Sequence, residues 1–184
     1  MKRCRWVDES NELYVSYHDN EWGVASKCDH HLFEMLVLES FHCGLSWLLV
    51  LRKRENFRTA FDQFDAVKIA SYGEDKVAEL LDDAGIIRHS GKIKATIANA
   101  KAFLTVQEEF KSFANYLWSF TDNQVVLNTE DNFTNKNVLS DQVSKDLKKR
   151  GFKFMGSVTV YSYLEAVGII NNHQTDCFKH PYNL

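Results

Sequence analysis

An acid and an indole flank a short turn in a strongly apolar part of the chain. Glu39 lies in the run LVLESF, and Trp47 follows a break made by Gly44 and Ser46. A carboxylate on an apolar helix face must be paired, protonated or directed into a pocket, because burying it unpaired is costly. Two interpretations stay open from this pattern: a glutamate at the surface edge of the core, and a carboxylate that lines a pocket.

Aromatic residues crowd the first segment, between residues 4 and 22. They include Trp6, Tyr14, Tyr17 and Trp22. Such residues usually belong to the core, but their clustering also fits a wall on which a flat ligand stacks. Asp19, Asn20 and Gly23 are turn formers, so the segment is predicted to be loop and short helix packed over another element.

Cysteine and histidine occur together near both ends of the chain. Cys4 and His18 come early, and His173 and Cys177 come late with a His-x3-Cys spacing that one helical turn can serve. Four such ligands would suit a closed tetrahedral zinc site that joins two segments otherwise prone to fray. Other candidate ligands remain open on spacing alone, namely Cys28, His30, His31, His42 and Cys43.

Apolar periodicity predicts helices on both sides of the acid and the indole. The first should begin at Asp29 as N-cap, and the second should restart at Ser46. Two shorter helices are predicted around residues 77–81, with Gly85 as the stop, and around residues 93–104.

The connection between those two shorter helices reads IIRHSGK. Gly91 would let a backbone approach a partner closely, and the free N–H groups of a helix start bind phosphate. Any two helices joined by a glycine turn show the same features, so this signal is weak by itself.

The last third of the chain holds further predicted elements but little chemistry. Residues 113–120 form a helical patch, and residues 125–139 are a loop in which no chemistry is predicted. The segment KDLKKRGFKF is basic, with Gly151 as the helix cap, and fits either a solvated helix end or phosphate contacts. A last apolar helix is predicted over residues 158–170.

Composition limits the class of protein. The chain has 184 residues, 45% of them hydrophobic and 13% aromatic, which is enough for one domain, or two small helical lobes, with a core of its own. It has no long uncharged apolar run and no signal peptide, so we expect no membrane partner and a cytoplasmic setting with reduced cysteines. The net charge of −3 makes nucleic acid a less obvious partner, although a local basic patch would suffice.

Several motifs occur together and in order over nearly the whole length: RCxWV, YxxYHDxEWG, LFEMxxLE, GLSW, KRENFR, AGIIRHxGKI, LKKRGFKFxG and the terminal His-x3-Cys. In this the chain resembles the 3-methyladenine DNA glycosylase I family. The resemblance implies an all-α, helix-hairpin-helix glycosylase fold over residues 1–184, with segments 1–25 and 165–184 packed together. It also implies one structural zinc ion per chain, bound by Cys4, His18, His173 and Cys177.

The resemblance also places functional residues. It implies a base pocket of Trp6, Tyr14, Tyr17, Trp22, Glu39 and Trp47, with Glu39 as the catalytic residue, and DNA contacts at Arg88, Ser90, Gly91 and Lys92. The turn GLSW resembles the family's loop that probes the duplex. This chain departs from the family just before that turn, because His42 and Cys43 stand where glutamine and alanine are usual. The departure concerns the loop's contacts with DNA and leaves the acid and the indole in place.

The implied function is excision of N3-methyladenine from alkylated double-stranded DNA by a monomeric enzyme. Methylation gives the purine a positive charge and makes the methylated base a good leaving group, so selecting the flipped nucleotide is the main task. Glu39 would accept hydrogen bonds from the base and offset its charge. The family lacks the catalytic aspartate of its superfamily relatives, and no lysine here suggests Schiff-base chemistry, so no lyase activity is expected.

Two other functions compete with this prediction. The altered segment ESFHC would fit a zinc-stabilised DNA-binding module that has lost catalysis. Thiol chemistry through Cys43 beside His42 has suitable residue types, but adjacent helix positions point about 100° apart.

Overall fold

The computed structural model describes residues 1–129 and 134–183 and shows a mainly helical chain, as predicted. The helices are α1 (Glu12–Asn20), α2 (Asp29–His42), α3 (Trp47–Ala60), α4 (Ala66–Ala70), α5 (Glu74–Asp82), α6 (Ser90–Phe110), α7 (Phe113–Ser119), α8 (Val138–Lys149) and α9 (Ser157–Ala166), with short 3-10 turns at Asp62–Phe64 and Pro181–Asn183. Strands β1 (Val126–Leu127) and β2 (Ile170–Asn171) form a short parallel pair that the sequence analysis missed.

Helix α2 lies at the centre of the fold. Its residues from Leu32 to Phe41 are all buried, and it packs against α3, α6, α7 and α9. A helix that is buried on every side is expected to be apolar all round, so its two buried acids, Glu34 and Glu39, stand out.

The predicted break between α2 and α3 is confirmed. Gly44 adopts a left-handed conformation with φ of 81°, which a glycine tolerates without strain. Ser46 is the N-cap of α3, and its hydroxyl accepts a hydrogen bond from Leu49 N at 3.3 Å. Glu39 therefore lies in the last turn of one helix, and Trp47 is the first residue of the next.

The start of α2 differs from the prediction. Cys28 is the N-cap, and Asp29 does not cap its own helix. Its carboxylate instead accepts hydrogen bonds from Phe113 N and Ala114 N, each at 2.8 Å, and so caps α7. A short acid before an apolar run signals a cap, but the sequence does not show which helix it serves.

Helices α5 and α6 form the predicted hairpin. Helix α5 ends at Asp82, and Gly85 lies further on, in the turn, where its carbonyl accepts hydrogen bonds from Lys53 and Asn56 of α3. His89 is the N-cap of α6, and its Nδ1 accepts a hydrogen bond from Lys92 N at 3.2 Å. The turn is thereby fixed against α3 rather than left free.

The C-terminal segment returns to the start of the chain. Helix α9 ends at Ala166 rather than at residue 170, because Gly168 turns the backbone with φ of 73° and lies against the N-terminal segment. A Cβ there would come within 2.3 Å of the Val24 and Ala25 backbone. Phe178 N also donates a hydrogen bond to Lys2 O at 2.9 Å.

The end of α8 and the segment before it agree in part with the predictions. Gly151 follows α8 with φ of 96°, as expected for a residue that ends a helix. Of the predicted loop 125–139, residues 130–133 lie outside the described residues, 126–127 form β1, and α8 already begins at Val138. Within the described chain, no helix is both long and apolar enough to cross a membrane.

Candidate functional site

A cavity of about 480 Å³ opens between α1, the α2–α3 turn, α9 and the C-terminal segment. The structure brings together in its wall the residues that the sequence analysis placed in a pocket: Trp6, Tyr14, Tyr17, Trp22, Glu39 and Trp47. Further lining residues are His42, Ser46, Thr134, Ser162, Glu165, Asn172 and Gln174. A cavity of this volume, mostly apolar with a few polar groups, has the size and character of a small-molecule site.

The aromatic walls hold one another in place. The ring centroids of Trp6 and Trp22 lie 5.1 Å apart in an edge-to-face arrangement, and those of Tyr17 and Trp47 lie 5.4 Å apart. Edge-to-face packing is the geometry that aromatic quadrupoles favour. The wall is therefore formed by rings that support each other before any ligand enters.

Glu39 is the acid of this cavity and is only 3% exposed. Its Oε2 lies 3.0 Å from Nδ1 of His42, one turn further along α2. Burial raises the pKa of Glu39, and the hydrogen bond with His42 opposes that shift. In the part of the chain that the structure describes, neither a lysine nor an arginine pairs with this carboxylate.

The other buried acid of α2 has a different environment. Glu34 is 4% exposed and accepts hydrogen bonds from Arg54 at 2.7 Å and Arg58 at 2.9 Å. Its charge is compensated within the protein, as a buried carboxylate normally requires. Glu39 lacks such a partner and faces a cavity, which is the arrangement of a carboxylate that awaits a ligand.

A second carboxyl group in the cavity was missed by the sequence analysis. Glu165 of α9 accepts a hydrogen bond from Asn172 Nδ2 at 2.5 Å. Burial and, less strongly, the nearby Glu39 raise the pKa of Glu165 to about 8. Glu165 lies in the apolar run VTVYSYLEAVGII like Glu39 in its own run, so the same signal could have found it.

Three buried donors of lining residues lack hydrogen-bond partners within residues 1–129 and 134–183. They are the indole N–H groups of Trp6 and Trp47 and the side-chain amide of Gln174. A buried donor without a partner loses the hydrogen bond that it makes to water in the unfolded chain. A ligand rich in acceptor atoms, such as a purine with its ring nitrogens, would supply partners.

Next to the cavity, the four predicted metal ligands converge. The ligand atoms of Cys4, His18, His173 and Cys177 all lie within 4.8 Å of one another, and all four residues are buried. Cys177 Sγ is 3.4 Å from His18 Nε2, and Cys4 Sγ is 3.5 Å from His173 Nδ1. Ligand atoms around a tetrahedral zinc ion lie about 3.4 to 3.8 Å apart. The cluster therefore fits such an ion.

The surroundings of the cluster also suit a metal ion. The second ring nitrogen of His18 lies 2.7 Å from Asp19 Oδ1, and that of His173 lies 3.1 Å from Trp22 O. Acceptors in these positions orient metal-binding histidines. Burial lowers the pKa of His173 to about 4, so its imidazole is neutral, as a ligand must be. Burial raises the pKa of Cys4 to about 12, so its thiol would release a proton when it binds a metal ion.

Lys92 does not occupy the position expected of a DNA contact. It is only 5% exposed, and its ammonium donates hydrogen bonds to Phe41 O at 2.9 Å and Cys43 O at 2.6 Å. These carbonyls belong to the end of α2, where a cation is favoured. Its environment is thus that of a structural residue that ties the start of α6 to the α2–α3 turn.

Arg88, Ser90 and Gly91, the other residues expected to contact DNA, are exposed around the start of α6. Because Lys92 joins that helix to the end of α2, this hairpin end and the α2–α3 turn are neighbours. Leu45 in the turn is 38% exposed, although it is apolar. The cavity and the candidate DNA contacts are therefore connected through α2.

The chain is similar in sequence to known methyladenine glycosylases. A family model described as methyladenine glycosylase matches residues 6–180. DNA-3-methyladenine glycosylase 1 of Escherichia coli strain K12 is 46% identical over 186 aligned positions, covering 100% of this chain and 99% of that protein.

Solved structures agree with the sequence matches. A crystal structure of 3-methyladenine DNA glycosylase I has a TM-score of 0.94 and 47% identity, and the match covers 98% of this chain and 100% of that one. A structure of the Staphylococcus aureus 3-methyladenine DNA glycosylase I, solved to explain its recognition of 3-methyladenine, has a TM-score of 0.93 and 34% identity, covering 98% and 97%.

Proposed function

This chain belongs to the methyladenine glycosylase family, and from that premise we infer its function: it acts as a DNA-3-methyladenine glycosylase in DNA repair. The enzyme hydrolyses the N-glycosidic bond that joins the methylated base to its sugar. The main structural support for this function is that Glu39 and the aromatic residues line the same cavity, which is where we place the reaction.

We propose that the cavity selects the methylated base by its positive charge and by the hydrogen bonds that its amino edge can form. A cation against an aromatic ring gains about 0.5 to 2 kcal/mol, and Trp47 and the tyrosines can offer such faces to the methylated purine. Glu39 then accepts hydrogen bonds from the amino edge of the base and offsets its charge. A carboxylate there also stabilises the positive charge that develops on the sugar.

The unpartnered donors of the cavity support a purine ligand. The indole N–H group of Trp6 can donate to a ring nitrogen, and the Gln174 amide can do the same. A base that meets both these donors and the Glu39 acceptor is recognised on more than one edge. Undamaged adenine has the amino group but lacks the positive charge, so it gains less from Glu39.

We propose that the duplex binds over the α2–α3 turn and the α5–α6 hairpin. The exposed Arg88 side chain and the backbone N–H groups of Ser90 and Gly91 would hold phosphates at the start of α6. Leu45 would enter the space beside the extruded nucleotide, as apolar wedges do in other proteins that deform DNA. Lys92 acts indirectly, by holding these two parts together.

We propose that the metal ion is zinc, one per chain, with a structural role. The Cys2His2 donor set, the ligand spacing and the burial of all four residues favour a closed tetrahedral site. Each chain contains every residue of the cavity and the cluster, which supports action as a monomeric single domain. The free cysteines suit a reducing, cytoplasmic setting. Elemental analysis should give one zinc per chain, and a value well below one would refute this.

The function is tested by the products released from duplex DNA treated with a methylating agent. Chromatography should show free 3-methyladenine and little 7-methylguanine, and the DNA strand should stay intact until alkali is added, because no lyase step is expected. Strand cleavage without alkali would show that the enzyme has lyase activity, contrary to this expectation. If the folded, metal-loaded protein released no base but still bound the duplex, the binding-module alternative would be correct.

A further inference from the structure

The two carboxyl groups of the cavity have different hydrogen-bond donors. Glu39 faces the imidazole of His42, at 3.0 Å, whereas Glu165 faces the neutral amide of Asn172, at 2.5 Å. An acceptor-only carboxylate requires the hydrogen to be on Nδ1 of His42. An imidazole N–H can also carry a charge, which an amide cannot.

We propose that His42 is a positioning residue that fixes the negative charge of the cavity on Glu39 rather than on Glu165. The inference rests on the proposed function, because a localised charge matters only if the ligand is a cationic base. His42 is well placed for this role. It lies three residues after Glu39 on the same face of α2, and its ring packs edge-to-face on Trp47 with centroids 5.3 Å apart.

No other donor takes this role within the described ranges of the chain. Tyr17 of α1 lies near both carboxyls, with Glu21, which follows α1, and Arg54 of α3 close to it, and Tyr161 of α9 lies near Glu165. Lys92 of α6 lies at the end of α2. Arg54 is paired with Glu21 and Glu34, and the Lys92 ammonium is bound to main-chain carbonyls. His42 is therefore the group that can favour the ionised form of Glu39 by direct contact.

The unequal partners determine which carboxyl group keeps its proton. Burial disfavours charge on both carboxyls, and the charge of Glu39 also disfavours ionisation of Glu165. Glu165 holds its proton into the neutral range, since its pKa is about 8. Glu39 receives the opposing hydrogen bond from His42. Removing His42 leaves burial unopposed at Glu39, so Glu39 is protonated more readily and the charge shifts toward Glu165, away from the position that binds a cationic base.

The test compares single-turnover release of 3-methyladenine across pH by the wild type, His42→Ala and His42→Gln. We expect His42→Ala to be slower by about tenfold or more near neutral pH, the usual loss for a hydrogen bond to a charged group. Its acidic limb should move to higher pH, because Glu39 protonates more easily. His42→Gln retains a neutral donor and should lose less. His30→Ala, on the exposed start of the same helix, is the matched control.

A second carboxyl variant separates positioning from simple structure. Glu165→Gln removes the competing carboxyl, so in the His42→Ala background it should restore part of the rate, which a merely structural defect would not allow. Affinity for a duplex with an abasic site should be unchanged in His42→Ala, since the change lies in the base cavity.

The outcomes that overturn the proposal are distinct. A folded His42→Ala protein with the wild-type rate and pH profile refutes it, as does a fall in duplex affinity equal to the fall in rate, which would mean that His42 acts through DNA contact. If His42→Ala does not fold, His42→Gln decides: a rate and an acidic limb equal to those of the wild type refute the role. A wild type that releases no 3-methyladenine refutes the proposed function itself.

Discussion

Two buried glutamates of α2 have different partners. Glu34 is neutralised by Arg54 and Arg58, whereas Glu39 has only His42 and faces the cavity. Burying a carboxylate without a cation raises its pKa and reduces the stability of the fold at pH values where the group is charged. Burial of Glu39 thus lowers the stability of the free protein, and a cationic ligand can offset this loss.

The two glutamates should therefore respond in opposite ways to loss of charge. Glu39→Gln should raise the free energy of unfolding near pH 7 by about 0.5 to 2 kcal/mol, a usual gain when a destabilised functional group is replaced. Because the folded pKa of Glu39 is raised, this gain should appear as the pH rises above the unfolded value of about 4.3 and vanish at lower pH.

The control is the neighbouring acid. Glu34→Gln should lower the free energy of unfolding by about 1 kcal/mol or more, because it leaves a buried arginine partly unpaired. Denaturant unfolding at several pH values measures both variants. A loss of stability in Glu39→Gln near pH 7 would show that this carboxylate contributes to the fold instead.

The elements that we propose to face DNA are fixed to one another by side chains of α3 and α6. Lys53 and Asn56 bind the Gly85 carbonyl of the hairpin, and Lys92 binds the last carbonyls of α2. The hairpin and the α2–α3 turn consequently keep a constant separation. A rigid pair of contacts can hold the backbone on both sides of one extruded nucleotide.

Arg88 should contribute to duplex binding in a salt-dependent way. Arg88→Ala should weaken duplex binding by a similar factor for damaged and undamaged DNA and reduce the salt slope of log K by about one. The control is Lys101→Ala, which removes an exposed charge several turns along α6. Binding measured by fluorescence anisotropy at several salt concentrations distinguishes them. Equal salt slopes in the two variants would exclude Arg88 from phosphate contact.

The positions of the helices and turns were predicted well from local sequence signals, whereas contacts between residues far apart in the chain were not. The α2–α3 break, the hairpin and the end of α8 follow from glycine, serine and apolar periodicity, which act over a few residues. The hydrogen bonds of Asp29 to the start of α7 and the burial of Lys92 were not predicted, because each depends on a partner far along the chain. Glu165 was missed although its apolar run carries the same signal as that of Glu39, and Asn172 has no such signal.

Across the whole molecule, the two ends of the chain form the wall of the cavity. The rings of Trp22 and His173 lie 4.7 Å apart, and those of Trp6 and His18 lie 5.5 Å apart. Residues of the metal cluster therefore pack directly behind the aromatic wall. The family resemblance was needed to choose these four ligands among the chain's cysteines and histidines, because spacing across 150 or so residues has no local signal.

Loss of one metal ligand should therefore destabilise both the fold and the pocket. Cys177→Ser should lower the free energy of unfolding by about 3 kcal/mol or more, since metal binding contributes to folding. It should also weaken excision, because Trp6 and Trp22 lose their support. Thermal unfolding and zinc content of Cys177→Ser are compared with those of Cys28→Ser, which alters an exposed thiol. Equal melting of the two variants would refute a structural metal.

Excision of 3-methyladenine from DNA in the cavity around Glu39 is the function that we propose for this protein. The most direct measurement is the single-turnover rate of 3-methyladenine release from methylated duplex by the wild type, Glu39→Gln and the exposed control Glu55→Gln. We predict release by the wild type and the control at equal rates, and a loss of about a hundredfold in Glu39→Gln, since a charge-assisted contact is removed. Release by a folded Glu39→Gln protein at the wild-type rate would contradict the account.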